Sequence, residues 1–76
     1  MANADCVPVA DIRALGAAIR ERRKALGLRQ DAVALAAGVG VMFVSALERG
    51  KPRAEVEKVL AVLNAIGIDI CLKARA

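Results

Sequence analysis

Between Asp11 and Arg53 the chain carries nine Lys or Arg against four Asp or Glu, whereas from Ala54 onward the counts are three against three. Little else in the sequence has chemical reach. There is no His, so the usual acid–base residue is missing, and no Ser, Cys or pair of carboxylates has an evident activating partner. An enzyme is not expected. Cys6 and Cys71 stand near opposite ends of the chain, and a zinc site or disulfide scaffold needs more ligands at tighter spacing. They are expected to be free thiols, with no metal and no cofactor. What a local basic excess can do is hold an anion, and nucleic acid is the commonest such partner. A merely solvated basic face is the competing reading.

Those charges need a scaffold, and the composition restricts it. The chain has 76 residues, one small domain. Seventeen residues are Ala against twenty-two Val, Ile and Leu, and Phe43 is the sole aromatic. Such a core suits thin helices packed closely and is marginal for one chain alone, so an oligomer is expected. The first eleven residues lack a basic start and a long apolar run, so no targeting segment is expected. The uncharged stretch from Ala32 to Leu47 is shorter than the roughly 20 residues a bilayer span requires. The expected location is cytoplasmic, without membrane contact.

Gly27, Gly38, Gly50 and Gly67 each follow a segment of helical character, where a left-handed helix end favours glycine. Four short helices follow. The first runs from an Asp11 cap to about Leu26, with Ile12, Leu15, Ile19 and Leu26 on its apolar stripe. The second covers about Gln30 to Ala37, with Val33, Ala34 and Ala37 inward. The third covers about Gly40 to Arg49, with Val44 and Leu47 inward and Val39 plugging the turn before it. The fourth spans about Ala54 to Ile66, with Val56, Val59, Leu60 and Leu63 as its stripe, and with Glu55 and Glu57 in its first turn. From Ile68 to Lys73 the period becomes two, the pattern of a strand. A lone strand needs a partner for its backbone groups, and the same strand in a second copy would supply one. The alternative is a frayed tail.

Two short helices about the turn AAGVG, followed by a basic ERGKPR loop, describe a helix-turn-helix. The run IRERRKALGLRQDAVALAAGV, continued by VSALERGKP, resembles the Cro/repressor-type (Xre) helix-turn-helix family. The segment EVEKVLAVLNAIGIDICL resembles, within it, the HipB-like antitoxins. That resemblance implies an all-α domain with a C-terminal β-strand that pairs across a homodimer. It divides the chain into a flexible arm (1–10), a DNA-binding domain (11–67) and a dimerisation strand and tail (68–76), with Ile68, Ile70 and Leu72 pairing across the dimer. It also implies a repressor of its own operon, bound to a palindromic operator and partnered by a kinase-like toxin.

Position by position, the resemblance makes Arg23 and Glu48 an internal ion pair. It places Gln30 and the head of the second helix at a phosphate, and Arg49, Lys51 and Arg53 on the backbone beyond. Arg29 stands where relatives carry Ser or Thr, so the second helix has a poor cap but gains a charge near DNA. The base-facing positions are Gly40, Val41, Met42, Ser45 and Ala46, and of these Ser45 alone can hydrogen-bond a base edge. The alternative function is an interaction module that binds a toxin or other partner and reads DNA poorly.

Overall fold

The computed structural model describes residues 6–51 and 53–76. Four helices follow one another: α1 (Ile12–Ala25), α2 (Gln30–Ala37), α3 (Val41–Glu48) and α4 (Val56–Ala65). Asp11 caps α1 by accepting from the Ala14 amide at 2.8 Å. Gly27, Gly38, Gly50 and Gly67 all have positive φ, as the sequence led us to expect. At Gly38, φ is 73° and its N–H closes on the carbonyls of Ala34 and Leu35, ending α2 within one residue. The chain bends by 115° between α2 and α3, within the range of a helix-turn-helix. No single helix is long and apolar enough to cross a membrane.

The core is aliphatic throughout. Ile19, Val33, Ala34, Val44, Leu47, Val59, Val62, Leu63 and Ile66 are buried, with Val39, Phe43 and Ile68 packed against them. Each of the four helices contributes, so none buries its apolar stripe without the others. Arg22 of α1 reaches the far end of α4, donating from Nε to the Ile66 carbonyl at 2.9 Å. A cation there satisfies an orphan carbonyl and suits the helix dipole.

Gly16 is buried where α1 crosses the end of α3. A Cβ at that position would overlap the Leu47 carbonyl oxygen and lie 2.9 Å from that of Glu48. Those oxygens belong to backbone and cannot swing aside. Gly16→Ala is expected to destabilise the domain by roughly 1–3 kcal/mol, read as a lower denaturant midpoint. An unchanged midpoint would mean that α1 shifts away freely.

Four expectations need correction. In α4 the buried face is Val59, Val62, Leu63 and Ile66, whereas Val56 is 70% and Leu60 45% exposed. The periodicity was compatible with a face rotated by a fraction of a turn, and only the position of α2 selects between them. Leu26 is likewise exposed, because α1 ends before it and it serves as the C-cap. Residues 68–73 form no strand; among the described residues there is none. A strand is defined by its ladder, and a single chain offers this segment no partner.

The fourth correction concerns the cysteines. Cys6 and Cys71 are joined in a disulfide, with their Cα atoms 6.3 Å apart. Distance along the sequence suggested free thiols, but the fold returns the tail to the start of the chain. Of the arm 1–10, residues 1–5 lie outside the described residues, and residues 6–10 are irregular and exposed.

Candidate nucleic-acid interface

The base of the site is a brace inside the helix-turn-helix. Glu48, the last residue of α3, is 8% exposed. Its carboxylate accepts from Arg23 Nε at 2.6 Å, from Arg23 Nη2 at 2.9 Å and from Gln30 Nε2 at 3.1 Å. Arg23 Nη1 donates onward to the Leu28 carbonyl at 2.8 Å. One carboxylate thereby ties α1, the α1–α2 turn, the head of α2 and the end of α3. Burial pushes the Glu48 carboxyl up, but the hydrogen bonds from Arg23 and Gln30 and the Arg23 charge outweigh it, and the net shift is downward.

The head of α2 opens onto solvent above this brace. Its N-cap, Arg29, makes no side-chain capping bond, so the first amides of the helix have no partner within it. A hollow lies there, lined by Arg23, Arg29, Gln30, Asp31 and Val41. Unpaired amides at a helix head form an anion site. The Arg23 charge is spent on Glu48, so Arg29 is the cation available to an incoming phosphate. Asp31 partly opposes it, its Oδ2 lying 3.4 Å from Arg29 Nη2 with both side chains exposed. Gln30 has one amide N–H committed to Glu48 and a second left over.

Helix α3 presents its outer side beside that hollow. Met42 is 80% and Val41 44% exposed. Ser45 lies half-buried one turn further, and its Oγ accepts from Arg49 Nη1 at 2.6 Å. Met42, Ser45 and Arg49 are spaced i, i+3 and i+7, so they share one face. Arg49 takes one lone pair of the Ser45 hydroxyl, which keeps its donor and a second lone pair. Gly40 caps α3 without a side chain. Ala46 lines a second shallow hollow with Phe43, Leu47, Lys51, Arg53, Ala54 and Glu55. Lys51 and Arg53 are exposed on the loop beyond, where Arg53 holds a φ of 69° that few non-glycine residues adopt. Three features escaped the sequence reading, and the first is the bond from Gln30 to Glu48. Asp31 answers Arg29 at the rim, and Arg49 belongs to the outer face of α3 as much as to the loop. The i, i+4 spacing of Ser45 and Arg49 was the available signal for the latter.

The helix-turn-helix family (HTH_3) matches residues 19–72 of the chain. A regulator from Sinorhizobium fredii (strain NBRC 101917 / NGR234), y4mF, an uncharacterised HTH-type transcriptional regulator, is 50% identical over 56 residues, 74% of each protein. The chain belongs to the helix-turn-helix family. Among solved structures, the restriction-modification controller protein C.AhdI from Aeromonas hydrophila is similar. Its TM-score is 0.70 at 29% identity, covering 76% of this chain and 88% of that one. This helix-turn-helix protein is thus a DNA-binding transcriptional regulator and not an enzyme.

Proposed function

We propose that the chain is a homodimeric repressor that binds a palindromic operator through the outer face of α3. The observation that carries this is the adjacency of two surfaces. The open head of α2, with Arg29 and the spare Gln30 amide, lies beside Val41, Met42, Ser45 and Arg49. The first holds a phosphate and sets register; the second meets the base edges. Lys51 and Arg53 grip the backbone beyond, while Gly40 lets it approach closely and Ala46 lies at the margin. Residues 11–67 form the DNA-binding unit, and 68–76 join the two copies. Titrating operator and scrambled duplexes by fluorescence anisotropy tests the reading. If no sequence is preferred at any salt concentration, the interaction-module alternative replaces it.

The second copy is supported by apolar surface that one chain leaves uncovered. Ile70 is 53% and Leu72 92% exposed on the tail, and Val56 and Leu60 are exposed on α4. Ile68 packs against the chain's own core and would set the start of the paired segment. Ile70→Asp with Leu72→Asp should weaken the dimer and, with it, the gain from two linked half-sites, by roughly 10²-fold or more in operator affinity. Sedimentation velocity reads the first effect. Wild-type protein that is still monomeric at micromolar concentration with Cys6 and Cys71 reduced would refute the tail pairing.

The resemblance of residues 55–72 to HipB-like antitoxins supports a further role, repression of a toxin–antitoxin operon beside a kinase-like toxin in the cytoplasm. The likeness to C.AhdI favours a second setting, control of a restriction–modification operon. The adjoining reading frame distinguishes them, as a kinase-like frame fits only the first.

A further inference from the structure

We propose that Cys6 and Cys71 are a thiol pair whose oxidation by a low-molecular-weight disulfide latches the tail in cis and opposes dimer formation; this rests on the tail-paired dimer proposed above. Backbone bonding holds the tail as far as Ile68, whose N–H donates to the Leu63 carbonyl at 2.9 Å. Among the described residues, no hydrogen bond joins residues 69–76 to the rest of the chain. Among the described residues, the covalent link from Cys71 to Cys6 is what holds the tail past Ile68. The flanking side chains add little: Val7 is 73%, Ile70 53% and Leu72 92% exposed.

Both cysteines are themselves exposed, so a small disulfide or thiol can reach them. Exposed disulfides are the labile and regulatory ones, and in a reducing compartment those that form are mostly transient. The exchange balances without a metal or cofactor. One cysteine thiolate attacks a sulfur of the small disulfide and expels the first small thiol. The second cysteine thiolate then attacks the mixed disulfide and expels the other. The protein loses two protons and two electrons, and the small disulfide takes them up to become two thiols.

Closed, the bond keeps residues 69–72 beside their own chain's arm, so pairing with a second copy must displace or distort that attachment. Open, the tail leaves Ile68 as a free extended segment and pairs in trans. The dimer, and with it the joined half-sites on DNA, belongs to the reduced protein.

The test uses the full chain in excess dithiothreitol, the same chain in oxidised glutathione, and the Cys6→Ser/Cys71→Ser double variant in both. Peptide mapping after thiol alkylation is expected to find Cys6 bonded to Cys71 within one chain only in the oxidised wild type. Sedimentation is expected to show oxidised wild type dimerising at least about tenfold more weakly than reduced, with operator affinity falling by roughly 10²-fold. The double variant should not respond to oxidation. Thiols that stay free in oxidised glutathione, or that bond between chains, overturn the latch. Oxidised protein that dimerises as tightly as reduced overturns the latch and leaves the tail-paired dimer standing. Reduced protein that remains monomeric at every concentration overturns both.

Discussion

Glu48→Ala is expected to lower stability by about 3–5 kcal/mol, the usual loss when one partner of a buried ion pair is removed. Here Glu48 is buried and Arg23 largely covered, with side-chain exposures of 2% and 11%. Alanine would leave the Arg23 guanidinium with the Leu28 carbonyl as its remaining partner and would strand the Gln30 amide. A domain of this length holds only about 4–11 kcal/mol in total. The variant is therefore expected to lose from about a quarter to all of that stability. Arg23→Ala strands the carboxylate instead, and the double variant should lose less than the two single losses combined, because the second removal strands nothing new. Additive losses in urea titrations would show that the two side chains are not coupled.

The same carboxylate sets the response to acid. Its pKa in the folded state lies below the ordinary value of 4.5. Its contribution is therefore fully present above that value and is lost as the pH falls through 4.5 toward the folded-state value. Thermal melting should show stability dropping below about pH 4.5. In Glu48→Gln, which keeps the shape and one acceptor, that part of the slope should vanish.

The second large effect is expected on DNA. Arg29, Arg49, Lys51 and Arg53 are exposed cations around α3, and a dimer would bring about eight of them to phosphates. Between about 50 and 200 mM salt, operator affinity should then fall by roughly 10³–10⁵-fold. Sequence reading has a different source. On the proposed reading, Val41 and Met42 would offer a methyl and a thioether to the thymine methyl, and Ser45 would offer one hydroxyl. Discrimination per base should lie at or below the low end of the ~1–3 kcal/mol of a bidentate polar contact. Uracil in place of thymine within the half-sites removes only methyl groups and should narrow the gap between operator and random DNA. Selective binding that ignores every such replacement would leave the reading to DNA shape and to Arg49. Met42→Ala should act on selectivity, whereas Arg29→Ala should weaken all duplexes alike.

Which features could be read from the sequence follows from how local their causes are. The Asp11 cap and the four glycine helix ends were legible, because each depends on a few adjacent residues. So were Val44 and Leu47 of α3, fixed by helical spacing. The inward face of α4 was not: Val56 and Leu60 fit a stripe as well as Val62 and Ile66 do, and the choice belongs to the packing of other helices. Gly16 looked like any helical glycine until α1 and the end of α3 were brought together. The Cys6–Cys71 bond and the Gln30–Glu48 contact are likewise products of the closed fold. At the candidate site, the residue types were plain, and the sharing of Ser45 by Arg49 required coordinates.

The meeting of residues 6 and 71 also bears on how the chain could be rewired. Their Cα atoms are 6.3 Å apart, a gap that a linker of about two residues spans. A circular permutant could join the ends there and open between Leu28 and Arg29, in the exposed turn after α1. The bond from the Leu28 amide to the Arg23 carbonyl would remain on one side of the cut, and that from the Val33 amide to the Arg29 carbonyl on the other. Helices α2, α3 and α4 would then be synthesised first and α1 last. The new amino terminus would add a positive charge beside the open head of α2, where a phosphate is expected. Such a rearranged chain should keep the groove-facing surface while losing any dependence on sulfur to hold its former ends together.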